Sequence, residues 1–252
     1  MPISPFFAAN RPSDIDPLEL YAAAIDTSDY ISRVAPQLRR LVPATGRLLD
    51  VGAGGGQLGA ALQDRRDPWT AIEPSPAMRA RLARLHTPPR IVAGRWEDAQ
   101  IASAAHDTVL AATMPAFFDH PEAFLARCRE WARRAVVWVV PAHAGPRGLC
   151  FAGCLPSDWH HEDETPGIDI VLRGLAPSSR PDAIAFADWT FSGVVKDLPH
   201  LAGYLADRLG WPEGDERRPR LLGHLEAQAR PDAARLRLDI PRKSAVLVWR
   251  LT

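Results

Sequence analysis

The chain has 252 residues, 46% of them hydrophobic, which is enough for one α/β domain with a large core. Thirty basic and thirty acidic side chains cancel, so the broad basic face that duplex DNA or RNA demands is missing and no nucleic-acid partner is expected. No apolar run is long enough to span a bilayer, Met1 to Phe7 lacks the build of a secretion signal, and Cys128, Cys150 and Cys154 form an odd set in a chain that needs no staples; these point to a cytoplasmic protein with reduced thiols and no membrane insertion.

After a loose segment to about Asn10, helical patterns cover Pro17 to Ile25 and Ser28 to Leu41. Strands are predicted at Arg47 to Val51, Trp69 to Glu73, Arg90 to Ala93, Thr108 to Ala112 and Ala135 to Val140, separated by helices at Gln57 to Arg65, Pro76 to Leu85 and Pro121 to Arg133. Strands spaced by helices of this length imply βαβ crossovers and a parallel, doubly wound sheet. Pro141 to Pro181 is rich in Gly, Pro and acidic residues and weakly periodic, and it reads as a lid-like insertion of loops and short helices over the C-terminal edge of the sheet. A strand at Ala183 to Phe191 and helices at Leu198 to Leu209 and Arg217 to Ala229 follow. A hairpin closes the chain: Arg235 to Ile240, a Pro241-Arg242-Lys243 turn, and Ser244 to Leu251. The expectation is a single α/β domain built on a mainly parallel, seven-stranded Rossmann-like sheet with a C-terminal antiparallel hairpin. It comprises N-terminal helices (1–45), a ligand-binding core (46–140), the lid (141–181) and C-terminal strands and helices (182–252).

The chemistry starts at Asp50-Val51-Gly52-Ala53-Gly54-Gly55-Gly56, where the first strand ends in a carboxylate and runs into a glycine cluster. Glycines permit positive φ and close backbone approach to a ligand. A dinucleotide fingerprint spaces its glycines as G-x-G-x-x-G and seats a pyrophosphate on the helix N-terminus; here Gly52, Gly54 and Gly56 alternate and Asp50 precedes them. A carboxylate there repels a pyrophosphate and suits an ammonium. This D-x-G-x-G-x-G pattern resembles motif I of the class I S-adenosylmethionine-dependent methyltransferases. The overall match, from about Arg47 to Val140 plus the C-terminal hairpin, looks most like the small-molecule group that includes the ubiquinone and menaquinone methyltransferases. The resemblance implies S-adenosylmethionine as cofactor, in-line methyl transfer to a small or medium-sized acceptor, and a cofactor site at Asp50, Gly52, Ala53, Gly54 and Gly56.

The second motif is Trp69 to Met78, where another strand ends in Glu73 ahead of a proline-framed helix start. Glu73 reads either as a ribose-hydroxyl acceptor, with Pro74 and Met78 beside it in the cofactor set, or as a helix-capping or solvated acid. After the third strand, Trp96 offers a flat face for a purine and Glu97 or Asp98 an acceptor for its amine, against the plainer reading of a helix cap beside a half-buried Trp. Thr113 and Met114 follow the fourth strand, where the fold places the reacting methyl group. Thr113-Met114-Pro115-Ala116 lacks the Asn/Asp-Pro-Pro-aromatic pattern of nucleobase amine methyltransferases.

Methyl transfer from a sulfonium asks for proximity and alignment and at most one base. His120, His160 and His161 are the candidates, the last two within the acidic lid stretch Asp158 to Glu164, which reads equally as a solvated loop. No metal is expected: Cys150, Cys154, His160 and His161 fall within twelve residues, but a C-x₃-C pair and adjacent histidines do not match zinc-ligand spacing. The alternatives are an NAD(P)-dependent Rossmann oxidoreductase, opposed by Asp50 and by the absence of a Tyr-x-x-x-Lys pair, and a non-catalytic cofactor-binding or regulatory protein. The methyl-accepting atom and the oligomeric state are not legible in the sequence.

Overall fold

The computed structural model describes residues 15–64, 66–113, 118–146 and 151–251. In chain order the elements are helices α1 (Pro17–Thr27) and α2 (Tyr30–Leu41), strand β1 (Leu48–Val51), α3 (Gln57–Leu62), β2 (Trp69–Glu73), α4 (Pro76–Leu82), β3 (Arg90–Ala93) and β4 (His106–Ala112). Then come α5 (Pro121–Trp131), β5 (Ala132–Pro141), α6 (Ser157–His160), α7 (Gly167–Gly174), β6 (Ala183–Val195), α8 (Leu198–Arg208), α9 (Arg217–Gln228), β7 (Arg230–Asp232) and β8 (Arg235–Arg250). Among the described residues no helix is long and apolar enough to cross a membrane.

The strands form one sheet in the order β3-β2-β1-β4-β5-β8-β6, with β7 paired to β8 off that path. Pairs β1/β2, β1/β4, β2/β3 and β4/β5 are parallel; β8 runs antiparallel to β5 and to β7. The fold is the expected α/β class, with two differences. There are eight strands rather than seven, and no turn forms at Pro241-Arg242-Lys243, which lies inside β8. Pro241 is exposed there, and the ladder to β5 begins only at Ser244, so the missing N–H of Pro241 is not needed in that ladder. The reversal comes earlier, at Ala233-Ala234 between β7 and β8, where Ala233 adopts φ 53°. The segment expected as a lid carries α6 and α7.

By its contacts the chain divides into two compact units. Residues 29–143, 165–189 and 242–252 form a core unit, and the remainder of the described chain forms the second. In the core unit β1, β2 and β4 bury both faces, which is why they read as near-continuous apolar runs. Period-two alternation sends Leu49, Val51, Val109, Ala111, Val136, Trp138, Leu247 and Trp249 into one cluster under α5 and α7. Trp138 is its centre, edge-on to Phe124 at 4.8 Å and stacked beside Phe118 at 6.4 Å. In the second unit, Phe151 lies so close to Gly193 that a Cβ there would meet the ring at 1.8 Å, and Phe191 packs between Phe151 and Tyr21.

The N-terminal edge of the parallel strands is fastened by Asp107. Its Oδ2 accepts the Arg47 backbone N–H at 3.0 Å and its Oδ1 accepts two guanidinium N–H groups of Arg133 at 3.1 and 2.5 Å. Burial pushes the Asp107 carboxyl up, yet Arg133 and the Arg47 N–H hold it below the usual carboxylate range. Because the folded value is depressed, this stability is present at neutral pH and is lost only as pH falls through the acid range. Asp107→Asn should lower unfolding free energy by about 2 kcal/mol at pH 7, measured by urea titration, and the deficit should shrink toward pH 3. A deficit unchanged by acid would show that the charge on Asp107 is not what holds this edge.

Candidate functional site

The C-terminal ends of β1, β2 and β4 converge in the core unit. Val51 is in register with Ile72 on one side and Ala111 on the other, so the loop from Gly52 to Gly56, the acid Glu73 and Thr113 share one edge. This edge is where open α/β sheets take ligands.

The loop needs its glycines for different reasons. Gly52, Gly54 and Gly56 all sit at positive φ, 66°, 55° and 77°, a region costly for side chains with a Cβ. The Gly52 and Ala53 N–H groups both donate to the Ile72 carbonyl, at 2.9 and 3.2 Å, which ties the loop to β2. Gly56 begins α3, and a Cβ on it would meet Leu82 at 2.4 Å. At Gly54 a Cβ would meet nothing within 4 Å: the space beside this backbone is open.

Glu73, at the end of β2, is only 3% exposed. A buried carboxylate needs donors, and it has two from the backbone: Gly54 N–H to Oε2 at 2.7 Å and Ser75 N–H to Oε1 at 2.8 Å. The acid expected as a ribose acceptor therefore also bridges β2, the glycine loop and the start of α4. The capping itself falls to Ser75, whose Oγ accepts the Met78 N–H, a role with a legible signal in Ser75-Pro76. Pro74 is exposed beside Glu73, and its carbonyl accepts from Arg79. The Met78 side chain is buried on α4.

Asp50 is likewise 3% exposed, on the face of β1 toward α3. A Cβ on Gly59 would stand 2.4 Å from Asp50 Oδ2 and 2.5 Å from the Trp69 ring, so α3 can approach this closely only because Gly59 is glycine. Burial, and after it the neighbouring Glu73 charge, pushes the Asp50 carboxyl up to about 7. Gly59 was missed in the sequence; a glycine inside a helix was the available signal.

Past β3, Trp96 is half-buried and packs edge-on against Phe124 at 5.1 Å, with its indole Nε1 buried and without a hydrogen-bond partner among the described residues. Glu97 points outward into a paired contact with Arg95, at 3.0 and 3.3 Å. Partial burial pushes its carboxyl up, but the Arg95 guanidinium wins and holds it low. Thr113, past β4, adopts φ 56°, strained for a β-branched residue, with its N–H on the Val139 carbonyl at 3.0 Å. Met114 lies outside the described residues.

The histidine candidates are dispersed. His120 is exposed at the start of α5 in the core unit. His160 and His161 belong to the second unit. His160 is buried, its Nδ1 accepts the Glu162 N–H at 3.1 Å, and its Nε2 lies 3.4 Å from Glu164. His161 is exposed at φ 50°. Among the described residues no three His, Cys, Asp or Glu side chains gather as a metal would require. Cys150 lies outside those residues, and the Cys154 carbonyl accepts from His224 and Gln228. Phe151, Trp189 and Phe191 are buried core, whereas Trp159 is half-buried against Trp211 and His224.

Residues 49–138, from β1 through the glycine loop to β5, match the family model described as a methyltransferase domain. The fold is similar to that of a candidate methyltransferase of Bacillus halodurans C-125, at 12% identity over 87% of this chain and 99% of that one, with a TM-score of 0.51. It is also similar to a candidate type II methyltransferase of Anaeromyxobacter dehalogenans, at 18% identity over 86% and 96%, with a TM-score of 0.53. No curated protein matches the sequence. Residues 49–138 therefore read as a methyltransferase domain, which implies S-adenosylmethionine as cofactor, and the chain has the fold of solved methyltransferases.

Proposed function

We propose that the enzyme methylates a small or medium-sized acceptor, with Asp50, Gly52, Ala53, Gly54, Gly56, Glu73 and Pro74 at the heart of the cofactor site and Trp96 and Thr113 around it. The carrying observation is the Glu73 carboxylate, buried and fixed by the Gly54 N–H at 2.7 Å, beside a backbone flanked by open space. A carboxylate oxygen accepts more than one hydrogen bond, so Glu73 retains capacity for ribose hydroxyls while holding the loop. Asp50 supplies the charge opposite an ammonium. Met78 supports the site from the core, Glu97 lies outside it in its contact with Arg95, and the Trp96 Nε1 is a donor left for a ligand acceptor.

Bound S-adenosylmethionine supplies a methyl group on a good leaving group, so the chain's own task is orientation and exclusion of water. Thr113, beside the loop at the end of β4, holds the strained backbone common at such edges and is assigned to acceptor alignment. His120 is the histidine of the core unit assigned to take a proton from an acceptor that needs it. The balanced charge supports a small molecule over a nucleic acid as acceptor. The test is calorimetric titration with S-adenosylmethionine, S-adenosylhomocysteine and NAD, followed by transfer of isotope-labelled methyl groups to fractionated cell extract. Binding of the first two and label in the small-molecule fraction are expected; label confined to nucleic acid would sink the acceptor class.

Gly54→Ala should stay folded, losing about 1–2 kcal/mol to its positive φ while its Cβ meets nothing, and should bind S-adenosylhomocysteine about tenfold or more weakly, because that methyl enters the ligand's space. Gly59→Ala, whose Cβ collides with Asp50 and Trp69, should instead cost about 1–3 kcal/mol of stability. Equal affinity in folded Gly54→Ala would remove the loop from the site.

Glu73→Ala removes both a ribose acceptor and the anchor of the loop, and two ligands separate these effects. The parent ligand should lose about 1.5–3 kcal/mol. The 2′-deoxy ligand should lose less, by the share due to the ribose contact. Identical losses for both ligands would make Glu73 a loop anchor alone.

A further inference from the structure

We propose that, before ligand binds, the buried Asp50–Glu73 carboxylate pair carries one proton, seated on Asp50, and that the cofactor's ammonium displaces it to solvent, so cofactor binding is coupled to proton release. The inference rests on the cofactor reading above. Its ground is geometric: two carboxylates, each 3% exposed, sit at the ends of adjacent parallel strands. Two buried like charges this near each other are not both ionised cheaply.

The two differ in their surroundings. Glu73 accepts N–H groups from Gly54 and Ser75. Asp50 instead faces the closely packed backbone at Gly59 and the Trp69 ring. Among the described residues no cation compensates it. α3 contains no charged residue, and β2 contributes only Glu73. β4 carries His106 and Asp107 at its opposite end, where Arg47 and Arg133 already engage Asp107. On α4, Arg79 is spent on the Glu73 and Pro74 carbonyls, and Arg81 sits in the last turn, away from the helix start. Burial and the Glu73 charge accordingly place the Asp50 carboxyl at about 7, where a proton is held or lost near neutrality.

The step balances simply. The Asp50 O–H bond breaks, the proton passes to buffer, and the carboxylate left behind would balance the charge of the ligand's ammonium. Because the free carboxyl is raised and the ligand lowers it, affinity must rise with pH through this range. The ligand's own amine begins to lose its proton near pH 7.7–8.0, so the window is read below pH 7.5.

The test is calorimetric titration of the full chain with S-adenosylhomocysteine at pH 6.5 in buffers of different ionisation enthalpy. Roughly three-quarters of a proton should be released per ligand bound, and Kd should fall roughly eightfold from pH 6 to 7.5. The deamino analogue of the same ligand should show neither effect, and Asp50→Asn should abolish release if it folds. Tight binding with heats independent of buffer would overturn the proton coupling while leaving the cofactor site in place. Failure of S-adenosylhomocysteine to bind at all would overturn both.

Discussion

The hydrogen bond from the Gly54 N–H to Glu73 Oε2 is the contact on which the site depends. A loop with three residues at positive φ has many other conformations open to it, and glycine gives each of them at little cost. What selects one is a buried charge that must be satisfied. Glu73 accepts from the loop on one side and from the first turn of α4 on the other, while Gly52 and Ala53 donate to the β2 carbonyl just before it. The sequence of β2 thus fixes a loop nineteen residues earlier in the chain. On the cofactor site proposed above, the acid that would receive the ligand also holds the loop in place, so Glu73 would join recognition to local stability.

The two edges of the sheet divide their labour. At the N-terminal edge the Asp107 charge is answered: it is paired to Arg133 and the Arg47 N–H, and Gly46 makes room for it. At the C-terminal edge the Asp50 carboxyl is buried beside Glu73 with no cation placed against it among the described residues, and Thr113 holds a backbone conformation its side chain disfavours. Such local costs persist only when the surroundings over-determine them, and here the surroundings are the apolar cluster around Trp138.

The legible parts of the chain were those where local signals and tertiary demands agree. Trp69–Glu73 and Arg90–Ala93 were readable to the residue, because apolar β-formers there are bounded by Pro and Gly. The glycine loop was readable because its spacing has a mechanism behind it. Pro241 misled, since proline reads as a turn although it tolerates extended backbone wherever no ladder N–H is required. Gly59 and Ser75 were overlooked for the opposite reason: each is ordinary locally, and its role appears only when Asp50 is packed beneath α3 or Glu73 turned toward the cap. At Trp96 and Glu97 the residue types were read, but not which way each side chain turns. Side-chain direction depends on partners distant in sequence, Phe124 in one case.

The acid before the glycines is also what separates this loop from a dinucleotide site in energetic terms. A pyrophosphate brought toward Asp50 and Glu73 would add negative charge to a buried pair that already resists holding two, and no cation on α3 or β2 offsets it. A ligand carrying an ammonium meets the reverse situation, in which its charge relieves the pair and the low-dielectric surroundings strengthen the attraction. On the proposed site, a preference for the cationic ligand would follow from the burial of two carboxylates alone. Lengthening the loop or changing its glycines would alter how closely a ligand approaches, whereas only the loss of Asp50 or Glu73 would alter which charge it must bear.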